Sequence, residues 1–309
     1  MIYTLMALDE NGGWTDVLLK SNNVSWSSNS DTLSIELNFD SLFDLVEGTH
    51  IILKIDNKIA FTGVIVKKAK DKLTYKYICY DYAFYLNKSE TIIQFNKVTA
   101  SVAIEQLCAK FGVRCNCATI NTVVSKIYKD MTLSAIIDDI LENVTLEKGT
   151  KYIKEMISDI LYIRVQKQYQ IFPKFILSKD LIVNSSIENM KDKVVATGND
   201  DTNTKILATV IDPINVKIYG GLQEVLTLDI ASDVAHAKTI ATNYLKLNNK
   251  IFYDTTLNIV VISGGEEIRA NRSIGLSIKS MGLNGWYNIK SCTNTLSNGQ
   301  YRASIVLEW

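Results

Sequence analysis

Thr32-Leu33-Ser34-Ile35-Glu36-Leu37-Asn38-Phe39 alternates polar and apolar residues over eight positions. Successive side chains of an extended chain point to opposite faces, so this run presents one face to a core and one to water. It predicts a half-buried strand, and related patterns follow it. Ile51-Ile52-Leu53-Lys54-Ile55 leads into the turn residues Asp56-Asn57-Lys58 and then into Ile59 to Val66, which predicts a hairpin. Leu73 to Tyr80 is a further β-branched and aromatic run. Residues 1–89 therefore read as a compact antiparallel β-region.

The period changes after residue 90. Ile104, Leu107, Cys108 and Phe111 fall at i, i+3, i+4 and i+7, with Thr99 or Ser101 as N-cap and Gly112 as C-cap. A second helix takes Thr132 as its N-cap and gathers Leu133, Ile136, Ile137, Ile140, Leu141 and Val144 on one face. Strand-like segments at 159–166 and 168–172 close a small α+β region over residues 90–184.

Strands return from about residue 185. They are expected at Lys193–Gly198, Ile206–Ile211 and Val216–Tyr219. One helix interrupts them, capped by Ser232 or Asp233, with Val234, Ala237, Ile240, Ala241, Tyr244 and Leu245 inward. Gly264-Gly265, Asn284-Gly285 and Asn298-Gly299 punctuate the rest, and the last two are strong hairpin dipeptides. The two strand-rich regions can be laid on each other. Ile51–Ile55 meets Ile274–Ile278, Phe61–Ile65 meets Trp286–Lys290, and Thr74–Cys79 meets Tyr301–Val306, at offsets of 223, 225 and 227 residues. Identity between them is very low, so the comparison is a hint of duplication.

Composition narrows the function classes. The 309 residues are 47% hydrophobic with 33 basic and 33 acidic groups, which is a well-packed chain and not a disordered one. Charge is also balanced along its length. Residues 1–89 carry 9 basic and 11 acidic groups, residues 90–184 carry 12 and 10, and residues 185–309 carry 12 and 12. No segment forms a basic footprint for nucleic acid, and no polybasic stretch or apolar run of membrane-spanning length is present. Met1 to Glu10 lacks the features of a signal peptide, and the five cysteines are an odd number, so reduced thiols in a cytoplasm are expected.

Catalytic and metal signatures are missing. His50 and His236 are the only two histidines, far apart in sequence and without a neighbouring nucleophile or ligand. Cys108, Cys115 and Cys117 have a C-x6-C-x-C spacing, which does not match the paired C-x2-C knuckles of a zinc site. The acidic doublets Asp138-Asp139, Asp200-Asp201 and Glu266-Glu267 read as solvated faces and turns rather than acid/base pairs. No nucleotide-binding glycine motif or nucleophile elbow is found. Trp14, Trp26, Trp286 and Trp309 could form a sugar-stacking surface, but large aromatics in β-domains more often serve the core or a subunit interface. The residues thus point to a β-rich, self-associating or scaffold protein, with no catalytic, cofactor-binding or metal-binding residues assigned.

Three ordered stretches resemble a known family. The first comprises Val24-Ser25-Trp26-Ser27, Phe61-Thr62-Gly63-Val64-Ile65 and Tyr80-Asp81-Tyr82-Ala83-Phe84-Tyr85-Leu86. The second is Ser185 to Gly198, and the third is Gly285 to Asn294 followed by Tyr301 to Leu307. Together they are similar to the baseplate hub proteins of contractile phage tails and phage-tail-like bacteriocins, in the branch found in Gram-positive bacteria. One departure is Asn294, which stands where a His is expected in the closing hairpin.

The resemblance implies a β-rich α+β fold, with two similar β-barrel, tube-type domains at 1–89 and 185–309 flanking the α+β domain at 90–184. It also implies a non-enzymatic homotrimer, a symmetry adapter that joins a hexameric tail tube to a trimeric spike. The partners would be its own copies, the tube, the spike and other baseplate proteins. Assembly would take place in the bacterial cytoplasm, and the product would be part of a virion or tail-like particle. The alternatives are a tail-associated peptidoglycan hydrolase and a cell-wall-binding module.

Overall fold

The computed structural model describes residues 1–8, 12–166, 169–199, 204–228 and 234–309. Asp200-Asp201 and the helix-capping residues Ser232 and Asp233 lie outside the described residues, and the side chain of Val234 is likewise not described.

Fourteen strands join into one sheet that curls into a half-barrel. The expected alternating run supplies Glu36–Ser41, with Leu37 and Phe39 buried, while Leu33 and Ile35 are buried just ahead of it. His50–Ile55 and Lys58–Asp71 form the expected hairpin, and Asp56 and Asn57 both take the positive φ of a tight turn. Thr74–Asp81 pairs back on Lys58–Asp71 and also on Glu36–Ser41. At the other end, Ser273–Ile278, Leu283–Ser297 and Gln300–Glu308 form a second run of antiparallel neighbours. Asn298 and Gly299 both have positive φ in the turn before the last strand, as the dipeptide predicts. Asn284-Gly285 is instead inside a strand, facing Ser277 and Leu276, and the turn falls at Lys279–Met281 with Gly282 in the left-handed region.

The two strand-rich ends share this sheet because Ser21–Asn29 pairs with Glu36–Ser41 on one side and with Leu283–Ser297 on the other. A single apolar core runs beneath both, from Leu5, Leu37, Leu53 and Tyr77 to Leu257, Ile274, Tyr301 and Ile305. In each end the long strand bulges at the same place. Ile65 faces Cys79 and Lys67 faces Ile78, with Val66 extra; Ile289 faces Leu307 and Ser291 faces Val306, with Lys290 extra. The shared bulge places Ile65 on Ile289 and Cys79 on Leu307, within one residue of the alignment read from the sequence.

The middle region has its own core, from Ala83 and Leu86 to Ile163. It contains a repeat that the sequence reading missed. Glu90–Thr99 followed by α1 (Ala100–Lys110) corresponds to Val123–Thr132 followed by α2 (Leu133–Lys148). Thr99 and Thr132 each accept a hydrogen bond from the backbone N–H three residues on, so both act as N-caps. Lys97 and Asp130, two residues earlier in each copy, both have positive φ. The two strands pair antiparallel, and Phe95 meets Tyr128 edge-on at 6.0 Å.

A third, smaller core lies under Lys193–Asn199, Thr204–Ile211 and Gln223–Leu228. Residues 216–219, expected as a strand, belong instead to α3 (Pro213–Tyr219). Asp212 accepts from the backbone N–H groups of Ile214 and Asn215, and Pro213 begins the helix with its fixed φ, so the cap outweighs the β-branched residues. The helix α4 (Val234–Asn248) buries Ala237, Ile240, Ala241 and Leu245 here, and half-buried Tyr244 packs beside them. Its Asn243 donates to the carbonyls of Leu146 and Glu147 at the end of α2, joining the second and third cores.

Candidate functional site

Buried polar groups tie parts of the chain together. Glu155, on the inward face of Tyr152–Ile157, is buried with Arg272, which leads into Ser273–Ile278. Their contact is bidentate: Arg272 Nη1 donates to Glu155 Oε2 at 2.8 Å and Nη2 donates to Oε1 at 2.5 Å. Such fork-to-carboxylate geometry fixes orientation as well as charge. Arg164 Nη2 donates to the same Oε2 at 2.7 Å, and Arg269 Nη1 lies 3.5 Å from Oε1. The Tyr169 ring covers the Arg272 guanidinium at 4.1 Å and that of Arg164 at 5.0 Å.

On the other side of Arg269, the first strand-rich end meets the middle region through Asp81. A cavity of about 40 Å³ is lined there by Thr62, Asp81, Met156, Ser158 and Arg269. The Asp81 carboxylate accepts from the Ala83 N–H at 3.2 Å, while its Oδ2 and the Thr62 hydroxyl have no protein partner. Burial outweighs these interactions and lifts the Asp81 pKa to about 8. The middle region is therefore held to the second end by a charged pair, and it meets the first end at a cavity whose carboxyl favours its neutral form.

A second buried network stands where the two ends join. The Tyr301 hydroxyl lies 2.7 Å from the Gly265 carbonyl and 3.0 Å from Asn294 Oδ1, and both are acceptors for its proton. Asn294 Nδ2 donates to the Ile268 carbonyl at 3.3 Å. Tyr301 passes so close to Gly265 that a Cβ there would lie 2.1 Å from its ring. Trp26 covers the ring from the neighbouring strand, with centroids 5.1 Å apart. Asn294, the departure from the resembled pattern, is thus fully buried and bonded at both ends of its amide.

The residues weighed from the sequence scatter. His50 Nδ1 meets the Tyr82 hydroxyl at 2.7 Å, and His236 lies on α4, on an exposed position. Cys79 and Cys292 are buried, which raises both thiol pKa values. Cys108, Cys115 and Cys117 do converge, and hydrogen bonds from the thiols on either side lower the Cys115 pKa. Among the described residues no group of three His, Cys, Asp or Glu side chains is arranged to hold a metal ion. Asp138 pairs with Lys154 at 2.5 Å, and Asp139 accepts from Lys126 and from the Tyr128 hydroxyl at 2.6 Å. Glu266 is buried and pairs with Lys58, in contrast to the solvated turn expected for it. Trp26 is core and Trp309 stacks on Tyr253, whereas Trp14 and Trp286 are half-exposed. Among the described residues no helix is long and apolar enough to cross a membrane.

Sequence reasoning missed Glu155, Arg164 and Arg272. One signal was available: Glu155 shares the face of Ile153 in a strand, so a carboxylate stood at an inward position.

Known structures share this architecture. A tail protein from Neisseria meningitidis superposes with a TM-score of 0.71 at 14% identity, covering 100% of this chain and 97% of that one. The 43 kDa tail protein of prophage MuSo2 from Shewanella oneidensis gives 0.69 at 13%, covering 99% and 97%. The prophage tail protein gp18 from Listeria monocytogenes gives 0.64 at 12%, covering 99% and 94%. The fold is therefore that of phage tail proteins over essentially the full chain. No curated protein matches the sequence. The family model described as YQBQ-like matches residues 23–308, and the chain belongs to that family.

Proposed function

We propose that the protein is a structural component of a phage tail or tail-like particle, a baseplate hub that assembles as a homotrimer. Each chain supplies two related β-units of tube type, one at each end, with the α+β region between them. Three chains then present six such units in a ring of pseudo-sixfold symmetry. That ring stacks on a hexameric tail tube, and its threefold face receives a trimeric spike. The observation that carries this reading is the repeated trio of strands, bulged at the same residue step in both ends and joined edge to edge in one sheet. A duplicated unit lets a threefold assembly match a sixfold partner without a second gene product. The Glu155–Arg272 pair and the Asn294–Tyr301 network bond distant parts of the chain to one another, which suits a rigid scaffold.

Electron-microscopy class averages of the purified protein at high concentration test the reading. Threefold rings with six lobes are the expected outcome. A chain that stays monomeric, or rings of another symmetry, would exclude the adapter.

A further inference from the structure

Several edges of the 14-stranded sheet have no strand partner among the described residues, and two of them occupy equivalent places in the two β-units. One is the Lys67–Asp71 half of the long strand Lys58–Asp71, on the side away from Thr74–Asp81. Its neighbour His50–Ile55 pairs only as far as Val64, and Ile65 makes the last backbone bonds on that side, with Gly48 and Thr49. The other is the outer edge of Lys174–Leu177 and Val183–Ser186, which pair with Phe252–Ser263 at the end of the sheet. Exposed edges of this kind are templates for pairing with another chain.

The chain already shows how such an edge is filled. In the second β-unit, the half-strand beyond the bulge is covered by Ser21–Asn29, in the register Trp26↔Asn294, Ser27↔Thr293, Ser28↔Cys292 and Asn29↔Ser291. The shared bulge makes Lys67 the counterpart of Ser291, Lys68 of Cys292, Ala69 of Thr293 and Lys70 of Asn294. The covering strand has a counterpart as well. Trp26 faces Leu37, which faces Cys79; Val183 faces Thr255, which faces Leu307. Cys79 and Leu307 are equivalent at the bulges, so Val183 takes the place of Trp26 and Ser186 that of Asn29. This unfilled receiving edge and this uncommitted covering strand are thus the two halves of a junction that the chain makes once with itself.

We propose that Val183–Ser186 of one chain pairs antiparallel with Lys67–Lys70 of a second copy, in the register Val183↔Lys70, Asn184↔Ala69, Ser185↔Lys68 and Ser186↔Lys67. The inference rests on the trimer reading above and specifies its contact. Alternating the internal junction with this one closes three chains into six units. The covering segment suits the edge chemically. Leu181–Ile187 has no charged residue, so no like charge is set opposite the lysines, and Ile182 is 73% exposed in the single chain. The lysines in turn disfavour unregistered pairing of this edge with other strands.

Cysteine cross-linking tests the register, in a background with Cys115→Ser and Cys117→Ser. Directly opposed residues of neighbouring strands come within disulfide reach, whereas a one-residue shift moves a side chain to the other face. The double variant Ser185→Cys, Lys68→Cys is compared with the shifted control Ser185→Cys, Lys67→Cys. Each is weighed in solution by mass photometry and then oxidised and run on a denaturing, non-reducing gel. The expected result is a trimer by mass, with covalent dimer and trimer at least tenfold stronger in the first variant than in the control. A trimer whose cross-links are absent, or equal in the control, overturns this contact and leaves the trimer standing. A monomer by mass overturns the trimer reading and this contact with it.

Discussion

The two β-units have the same strand order and the same bulge, yet their edges are finished differently. Beyond the bulge of Leu283–Ser297, the core-facing residues Cys292, Asn294 and Leu296 are buried beneath a strand from the first unit. Beyond the bulge of Lys58–Asp71, the equivalent positions hold Lys68 and Lys70, whose ammonium groups stand 4.8 and 5.6 Å from the Tyr75 ring centroid. Lys68 also bonds Asp44. One edge is dry and specified by an amide network, and the other is kept wet by cations. A backbone ladder is indifferent to sequence, so the side chains beside it decide whether an edge is completed within the chain or left open.

The units also differ in how the middle region grips them, and the largest expected effect lies there. Glu155→Ala removes the counter-charge of Arg272, which is only 3% exposed, and frees Arg164 and Arg269 from the same carboxylate. Breaking a buried pair from one side leaves an uncompensated charge and costs about 3–5 kcal/mol. Urea unfolding followed by tryptophan fluorescence measures it. A loss below about 1 kcal/mol, within the range of an ordinary surface substitution, would show that the clasp is not what holds the second unit to the middle region.

The boundary with the first unit should respond to pH instead. Asp81 titrates near 8 in the fold, far above the ordinary carboxylate range, because it is buried. Between those values the folded state binds the proton and the unfolded state does not, so stability falls as pH rises from about 4 to about 8. One proton limits the slope to about 1.4 kcal/mol per pH unit. Asp81→Asn abolishes that slope while keeping an acceptor for the Ala83 N–H. The test is the difference between wild-type and variant melting temperatures from pH 5 to 8. The variant should gain steadily on the wild type, and a constant difference would reject a neutral Asp81.

Much of this architecture could be read from the chain because its strands and helices carry strong local signals. Alternation around Leu37 and Phe39, the Asp56-Asn57 and Asn298-Gly299 turns, and the Thr99 and Thr132 caps all depend on near neighbours. The correspondence between the two ends was visible for the same reason, although a bulge shifts its register by one residue and no periodicity announces a bulge. Val216–Tyr219 misled because its β-branched residues follow an Asp-Pro cap that dominates locally. The clasps were hidden for a different reason. Glu155 and Arg272 are 117 residues apart, and Asp81 owes its character to residues brought from three regions, so only the tertiary fold creates these sites.

The smallest expected effect compares the two edges at equivalent positions. Asn294→Ala leaves the Tyr301 proton its bond to the Gly265 carbonyl but takes the amide donor from the buried Ile268 carbonyl, which keeps only the weak donor of the Cys292 thiol at 3.5 Å. Losing the stronger donor to a buried acceptor costs about 1 kcal/mol. Lys70→Ala, at the same step of the first unit, removes an exposed cation that water replaces, and should stay within about 0.5 kcal/mol in the monomer. Paired denaturant titrations of the two variants, made under dilute conditions, give the comparison directly. Equal costs would mean that the closed edge gains nothing from its amide network. The expected asymmetry would mean that the fold spends specificity where the chain meets itself and leaves the matching edge free of internal demands, the condition under which it can serve a contact between chains.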